Sequence, residues 1–574
     1  MDLVLRGGRG LLDHPLLPLG ELASVGLVCL LTSFPRRAPL GARLLIALLF
    51  GTLVVVDGFI YRYYRTLLDE QVVTTALHDW ADARPILLRL LPVCVALTLP
   101  IAALEYAWLS TFTLSLRLRT RLVLVAAVLA ALGVLDDYSL TPDLRALRAI
   151  SLLWKQHPTK ATTSVSVPRL DSTIGSVPSV LVILTESVRD ESYCSGPAKE
   201  CSFSPEVNAL FPDRTPLRQL RSVASYTALS LSSLLTGRAL LARDADVAPT
   251  LFDYLHATRV DGRGVWVGYW SAQAGTVLER DVGASLDSLI TLETLLGHGV
   301  EDEDDAVLLD MDRRLVSRVI PELAKLPHPF FLMLHLLGTH APYFVDAERA
   351  PFQPIGRVVT WTGLPALQNA YHDAIVAQDH TLATFLRAFV AAQGQSPWIV
   401  LFTSDHGEAF GEHGAIHHGQ NLYDEQIHVP GWVVASPGAL SPAQGEHLAA
   451  HVDAFVTHLD VVPTVLDAFG ALESLGMGPL RPKLDGRSLL ASREPFPPIP
   501  MTNCTSMFPC PLNTWGVLGD GRALVAQPWD GDWNCVDLLA HGEHVSDAAC
   551  TTLRLASRRF FTHLPGGRPN ESAQ

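Results

Sequence analysis

Charge is scarce in this sequence. Asp, Glu, Lys and Arg make up 18 % of 574 residues and hydrophobic residues 48 %, whereas soluble globular chains carry about 25 % charge. The mean hydropathy is +0.25, which points to membrane segments. No Lys/Arg run occurs and the net charge is −15, so a nucleic-acid partner is excluded. The apolar content also excludes a disordered or collagenous chain. None of the eight cysteines forms a CxxC pair, which leaves thiolate zinc binding as the runner-up to disulfides. No small-residue cleavage site follows the first apolar stretch and more such stretches come after it, so it does not read as a signal peptide. The length allows three or four domains.

What the chain does have is hydrophobicity concentrated at the front. Four apolar stretches run from Pro15 to Phe34, Leu44 to Tyr61, Leu90 to Leu109 and Leu122 to Leu135. The third is long enough to cross a bilayer; the first two reach that length by including Glu21 and Asp57, and the fourth spans with snorkelling by Arg119 and Arg121. Arg36, Arg37 and Arg43 lie between the first and second stretches, and Arg117, Arg119 and Arg121 between the third and fourth. By the positive-inside rule these two loops are cytoplasmic, which puts everything after Leu135 outside. A fifth span between Tyr63 and Leu87 would reverse that count.

Residues 1–137 are therefore expected to be a transmembrane helical domain of about four spans. Residues 138–178 are expected to hold an interfacial helix, starting at Thr141-Pro142-Asp143, and then a Ser/Thr/Val/Pro linker. Six cysteines fall in the outer part. Their spacing favours Cys194 with Cys201, Cys504 with Cys510, and Cys535 with Cys550, among fifteen connectivities.

From Ser179 short β-branched runs alternate with helical segments: Val180 to Leu184, Gly264 to Trp270, Phe330 to Leu336 and Trp398 to Phe402. The pattern predicts an α/β domain with a mostly parallel sheet over residues 179–500, followed by a C-terminal extension, 501–574, packing on it. Polar residues just past strand C-termini line the site in such sheets. That rule selects Glu186 after the first run and Asp405-His406 after the last, a carboxylate and imidazole set suited to a divalent ion. Glu186 alone also reads as a neighbour of a helix start. A short helix is expected to begin near Thr227 and stop at Gly237. Its hydroxyl faces either an anion at the positive helix end or, as a plain cap, its own backbone. His340 lies in a Gly/Pro loop after a strand; Arg189 touches substrate or a helix neighbour.

Thr403-Ser404-Asp405-His406-Gly407-Glu408, continuing through Gly411-Glu412-His413-Gly414 and His418-Gly419 to Tyr423-Asp424-Glu425 and Val429-Pro430, resembles the sulfatase signature of the alkaline phosphatase and sulfatase superfamily. Asp460-Val461-Val462-Pro463-Thr464 and Asp485-Gly486-Arg487-Ser488 are similar to its later motifs. One departure matters. Sulfatases carry a Cys-x-Pro-Ser-Arg string ten residues before a Leu-Thr-Gly glycine; here that slot holds Thr227, with Leu229 and Leu231 where Pro and Arg would be. Formylglycine chemistry is thus not available. A Thr there is similar to membrane-anchored phosphoethanolamine and phosphoglycerol transferases.

That resemblance implies Glu186, Thr227, Asp405 and His406 as ligands of one divalent ion, zinc or manganese, with Thr227 as nucleophile through a phospho-threonine intermediate. It implies His340 and His418 as substrate-handling residues, and leaves His413 and His417 as solvated loop residues and Asp379-His380 as part of a helix face. The partners it implies are a membrane lipid donor and an envelope lipid or glycan acceptor. The expected protein is a multi-pass inner-membrane monomer with its catalytic domain periplasmic or extracellular. The alternative is a hydrolase of phosphate or sulfate esters.

Overall fold

A computed structural model describes residues 40–64, 80–111, 166–175, 177–239, 248–278, 282–297, 310–356, 363–503, 514–526, 533–539 and 543–561. The first and fourth apolar stretches, the helix expected from Thr141 and the Cys504–Cys510 pair lie outside these residues.

Near the N-terminus stand two helices, α1 (Leu40–Tyr64) and α2 (Trp80–Thr111). They cover the second and third apolar stretches. They meet through small side chains: Ala47, Val55, Thr98 and Ala102 are buried, and a Cβ on Gly51 would stand 3.2 Å from the Thr98 carbonyl. Leu44, Leu45, Leu48, Leu49, Leu97 and Leu99 face outward. Counted over the described residues, no helix is long and apolar enough to cross a membrane.

The core of the remainder is a seven-stranded sheet. Its strands are β1 (Ser179–Thr185), β2 (Thr215–Pro216), β3 (Trp266–Ser271), β4 (Ser288–Ile290), β5 (Phe330–His335), β6 (Trp398–Ser404) and β7 (Gly431–Ala435). Their spatial order is β2-β7-β6-β1-β5-β3-β4. The five strands from β6 to β4 are parallel; β7 and β2 add an antiparallel edge.

β1, β5 and β6 are buried along their whole length, with continuous apolar runs at their centres, because both faces are covered. Val180, Val182, Phe331, Met333 and Leu401 point into one cluster, with α3 (Thr227–Thr236), α4 (Leu251–Ala257) and α7 (Val461–Ala468). Leu181, Ile183, Leu332, Leu334, Val400 and Phe402 point into the other, with α5 (Met311–Leu323) and α6 (Leu364–Gln393). Burying a side chain of this kind is worth roughly 1.5–3 kcal/mol, and the period-2 alternation places each strand between the two layers.

Register decides what the sheet presents at its C-terminal edge. Thr185 pairs with Ser404, and Leu184 with His335. The chain therefore leaves β1, β6 and β5 side by side, at Glu186, Asp405 and His335.

A second sheet, antiparallel, follows: β8 (Ile499–Thr502), β9 (Trp515–Leu518), β10 (Arg522–Ala526), β11 (Asn534–Asp537) and β12 (Glu543–His544). One face packs with α8 (Thr551–Phe560), the other with Val223, Leu422, Tyr423 and Leu459 of the larger domain. Disulfides join Cys194 to Cys201 and Cys535 to Cys550.

Candidate active site

Glu186, Asp405 and His406 are all fully buried. Two carboxylates and an imidazole so close and so dry are unfavourable unless positive charge joins them. Asp405 Oδ1 accepts the backbone N–H groups of Ser187 and His406 at 2.9 and 2.7 Å. Its other oxygen, Oδ2, lies 3.1 Å from His406 Nε2 yet has no hydrogen-bond partner. The tautomer explains why. His406 Nδ1 donates to the Gly407 carbonyl at 3.0 Å, so Nε2 carries a lone pair, not a proton. Burial lowers this imidazole to about 4, which keeps it neutral. Two lone-pair atoms facing each other across a dry site make a cation seat.

Glu186 and Thr227 stand beside it. Glu186 Oε1 is 3.4 Å from His406 Nε2 and accepts the hydroxyls of Thr227 at 3.0 Å and Ser187 at 3.1 Å. Ligand atoms of Glu186, Asp405 and His406 all lie within 4.8 Å of one another. Thr227 is the first residue of α3; the N-cap is Tyr226 and no side chain caps the helix. The capping alternative for Thr227 is thus set aside. Its Oγ1 instead stands 3.1 Å from His406 Nε2, at the positive end of the helix.

The helix is held from both ends. Ser230 Oγ donates to the Asp405 carbonyl and lies 3.2 Å from His458 Nδ1, whose Nε2 lies 3.2 Å from Thr403 Oγ1. Gly237 ends α3 at φ 65°, a left-handed conformation that its lack of a Cβ allows. Asp485 then accepts from the Ala239 N–H at 2.8 Å, and Asp460 from the Arg487 N–H at 2.7 Å. Between them a Cβ on Gly486 would overlap the Leu459 carbonyl. The two later motifs therefore close the far end of α3.

The histidines arrive on loops. His418 Nδ1 donates to Glu408 Oε2 at 2.9 Å, and its ring lies 4.3 Å from that of His406 and 5.6 Å from that of His340. Burial lowers His418 to about 4. Candidate ligand atoms of Glu186, His340 and His418 also lie within 4.8 Å of one another. Glu408 is fully buried, which raises it, yet the His418 and His417 rings hold its carboxyl well below the usual range. It also accepts Tyr343 Oη at 2.7 Å and His417 Nδ1 at 2.8 Å. His340 Nδ1 donates to the Ala341 carbonyl. Its loop is anchored by Asp312 of α5, which accepts the N–H groups of Leu337 and Gly338 at 2.6 and 2.9 Å. Thr339 donates to the Glu186 carbonyl.

Several expectations need correction. His417 is tied to Glu408, and His413 stacks on Tyr423 at 3.7 Å while bonding Glu425, so neither is a free loop residue. Glu186 is a buried strand-end acid, not a neighbour of a helix start. Arg189 pairs with Glu191 and Glu412 and lies over Phe410. Asp379 is on a helix, as expected, but buried, where it accepts the Glu206 and Val207 N–H groups.

Sequence reasoning also missed partners. Gln273 donates to Glu186 Oε2 at 2.6 Å. His335 Nε2 is 3.8 Å from the same oxygen and has no hydrogen-bond partner. Both lie at strand ends, β3 and β5, so the strand-end rule had the means to find them.

Comparison with known proteins bears on this geometry. The Sulfatase family model matches residues 178–471, just over half of the chain. The phosphatidylethanolamine transferase Mcr-2 of Escherichia coli is 31 % identical over 146 residues, 24 % of this chain and 26 % of that protein. Rat (Rattus norvegicus) steryl-sulfatase is 28 % identical over 174 residues, 28 % of this chain and 26 % of that protein. The chain thus spans about a quarter of the length of these relatives. The integral membrane protein lipooligosaccharide phosphoethanolamine transferase A of Neisseria meningitidis superposes with a TM-score of 0.55 at 17 % identity, over 76 % of this chain and 86 % of that one. That likeness is one of fold.

Proposed function

Because the chain belongs to the sulfatase family, we propose that it moves a phospho-alcohol head group from a membrane phospholipid to an envelope lipid or glycan, with Thr227 as nucleophile. The observation that carries this reading is a hydroxyl at the formylglycine slot, placed 3.0 Å from Glu186 and 3.1 Å from His406. Glu186, Thr227, Asp405 and His406 would hold one divalent ion, zinc or manganese, in the seat that the orphaned Asp405 oxygen and the His406 lone pair define. Such an ion supplies Lewis acidity: it lowers the pKa of a coordinated hydroxyl and offsets charge on phosphoryl oxygens.

The chain's own groups do the rest. Thr227 Oγ, freed of its proton, forms a bond to phosphorus as the bond to the lipid oxygen breaks, leaving a phospho-threonine and a diacylglycerol alkoxide that takes a proton. The α3 N-terminus faces the transferring group with its dipole and first-turn N–H groups. Glu408 fixes the His418 tautomer, with the Nδ1 proton on the carboxylate side, so the ring's other nitrogen handles protons on the substrate side. His340, on its anchored loop, is the second candidate for the leaving oxygen's proton. The acceptor hydroxyl then attacks the phospho-threonine and restores Thr227.

The N-terminal region suits a lipid donor. Small residues at the α1/α2 contact with leucines outward are the packing expected of helices whose solvent is lipid. We read the chain as a multi-pass inner-membrane monomer with the catalytic domain outside.

A second reading, hydrolysis of phosphate or sulfate esters, is favoured by the likeness to steryl-sulfatase. Purified protein incubated with head-group-labelled phosphatidylethanolamine and an envelope lipid acceptor separates the two. Label on the acceptor supports transfer; soluble label independent of acceptor supports hydrolysis; label that stays on the phospholipid overturns the lipid donor.

A further inference from the structure

One side chain just past the first strand of the C-terminal sheet reaches two segments that carry site residues. Asn503, fully buried, follows β8. Its Oδ1 accepts the Ser225 N–H at 2.8 Å, and its Nδ2 donates to Ser225 Oγ at 2.9 Å and to the Gly419 carbonyl at 3.2 Å. Ser225 precedes Thr227 by two residues; Gly419 directly follows His418. Ser225 Oγ in turn donates to the Asn421 carbonyl at 2.6 Å, and the Thr502 N–H to the Val223 carbonyl at 3.1 Å.

We infer that Asn503 is a positioning residue: its carboxamide clips the segment entering α3 to the loop carrying His418, and so sets the Thr227 hydroxyl against that imidazole. This rests on the reading of Thr227 and His418 given above. Only an amide fits the junction. One atom must accept from an N–H, while the other must donate twice, to a hydroxyl whose proton is already committed and to a carbonyl. A carboxylate would set a lone pair against Gly419 O, and an apolar group would leave the Ser225 N–H and the Gly419 carbonyl buried without a partner. The clip spans three elements far apart in sequence, and two of them carry the groups on which the chemistry depends.

The test uses full-length, metal-replete protein with head-group-labelled phosphatidylethanolamine. Asn503→Ala should lower kcat about 10- to 100-fold, the scale of a displacement near 1 Å, with KM little changed; Ser225→Ala, which keeps the backbone N–H bonded to Asn503 Oδ1 and the Nδ2 bond to Gly419, should lower it less. The double variant should lose less than the two single losses combined, since the two substitutions share the Nδ2–Oγ bond. Leu524→Ala, in the core of the same sheet, should lower Tm without lowering kcat. Hydrogen exchange gives a readout independent of turnover: Asn503→Ala should speed exchange at residues 223–229 and 417–422 together. Additive losses, a Leu524→Ala variant that slows kcat equally, or unchanged exchange in either segment would overturn the assignment. A wild type that turns over no phospholipid sinks the functional reading instead, and the exchange result then decides the clip by itself.

Discussion

The strand ends and the histidine loops of this site are built differently. Glu186, Asp405 and His406 are 0 % exposed, and they leave neighbouring parallel strands whose pairing runs unbroken from Ser179 to Thr185. His340, His417 and His418 are partly exposed and sit on loops tied down by side chains, Asp312 for one and Glu408 for the others. An ion needs ligands fixed to a few tenths of an ångström, which a buried sheet supplies. On the proposed function a lipid head group must enter and leave, which a buried sheet prevents and an anchored loop allows. The same edge thus divides into a rigid seat and an accessible rim.

Thr227→Ala tests that division most severely. Turnover should fall at least about 10⁴-fold while fold and metal content stay near wild type, since a reacting atom is lost without emptying the core. Elemental analysis beside the rate assay checks it, and wild-type-like turnover would move the nucleophile elsewhere.

Asp405→Asn and Glu186→Gln strike the seat itself. Metal affinity should drop by more than the roughly 100-fold that outer partners are worth, and elemental analysis of the purified variants should find the ion missing.

His418→Ala belongs to the rim. We expect kcat to fall about 10² to 10³-fold, the range of one lost proton-transfer group, with bound metal retained. Loss of the metal along with the rate would merge rim and seat into one.

The smallest effect concerns the loop anchor. Burial raises Asp312 from 3.8 to about 6. Its contribution to stability is therefore present below pH 3.8 and lost as pH rises through 6, because the folded state holds the proton longer than the unfolded one. Melting curves should show stability declining across pH 4 to 6, and Asp312→Asn should flatten that decline while leaving metal content unchanged.

Much of this was legible along the chain. The four long strands appear where β-branched runs announced them, to within two residues, because burial on both faces forces continuous apolar runs. Glu186, Asp405 and His406 followed from the strand-end rule, and α3 from its small residues and Gly237. Gln273 and His335, at strand ends, were within reach of the same rule; partners on distant loops were not legible: Glu408 between two imidazoles, and Asn503 reaching 278 residues back to Ser225. Polar pairing across such separations leaves no period or spacing to read. His413 and His417 looked solvated for the same reason, since a carboxylate that captures a histidine gives no local signal.

Composition, periodicity and the residue types at strand ends determined that this is an α/β domain with an apolar N-terminal region and a carboxylate–imidazole cluster at one sheet edge, because those properties are local to each segment. Only the tertiary structure decided that β1 and β6 lie adjacent and in register, that Thr227 turns its hydroxyl toward Glu186 and away from its own backbone, and that Asn503, after the first strand of the last sheet, bonds both Ser225 and Gly419. Pairing partners and side-chain hydrogen bonds depend on which distant segments meet, and that is a property of the folded chain.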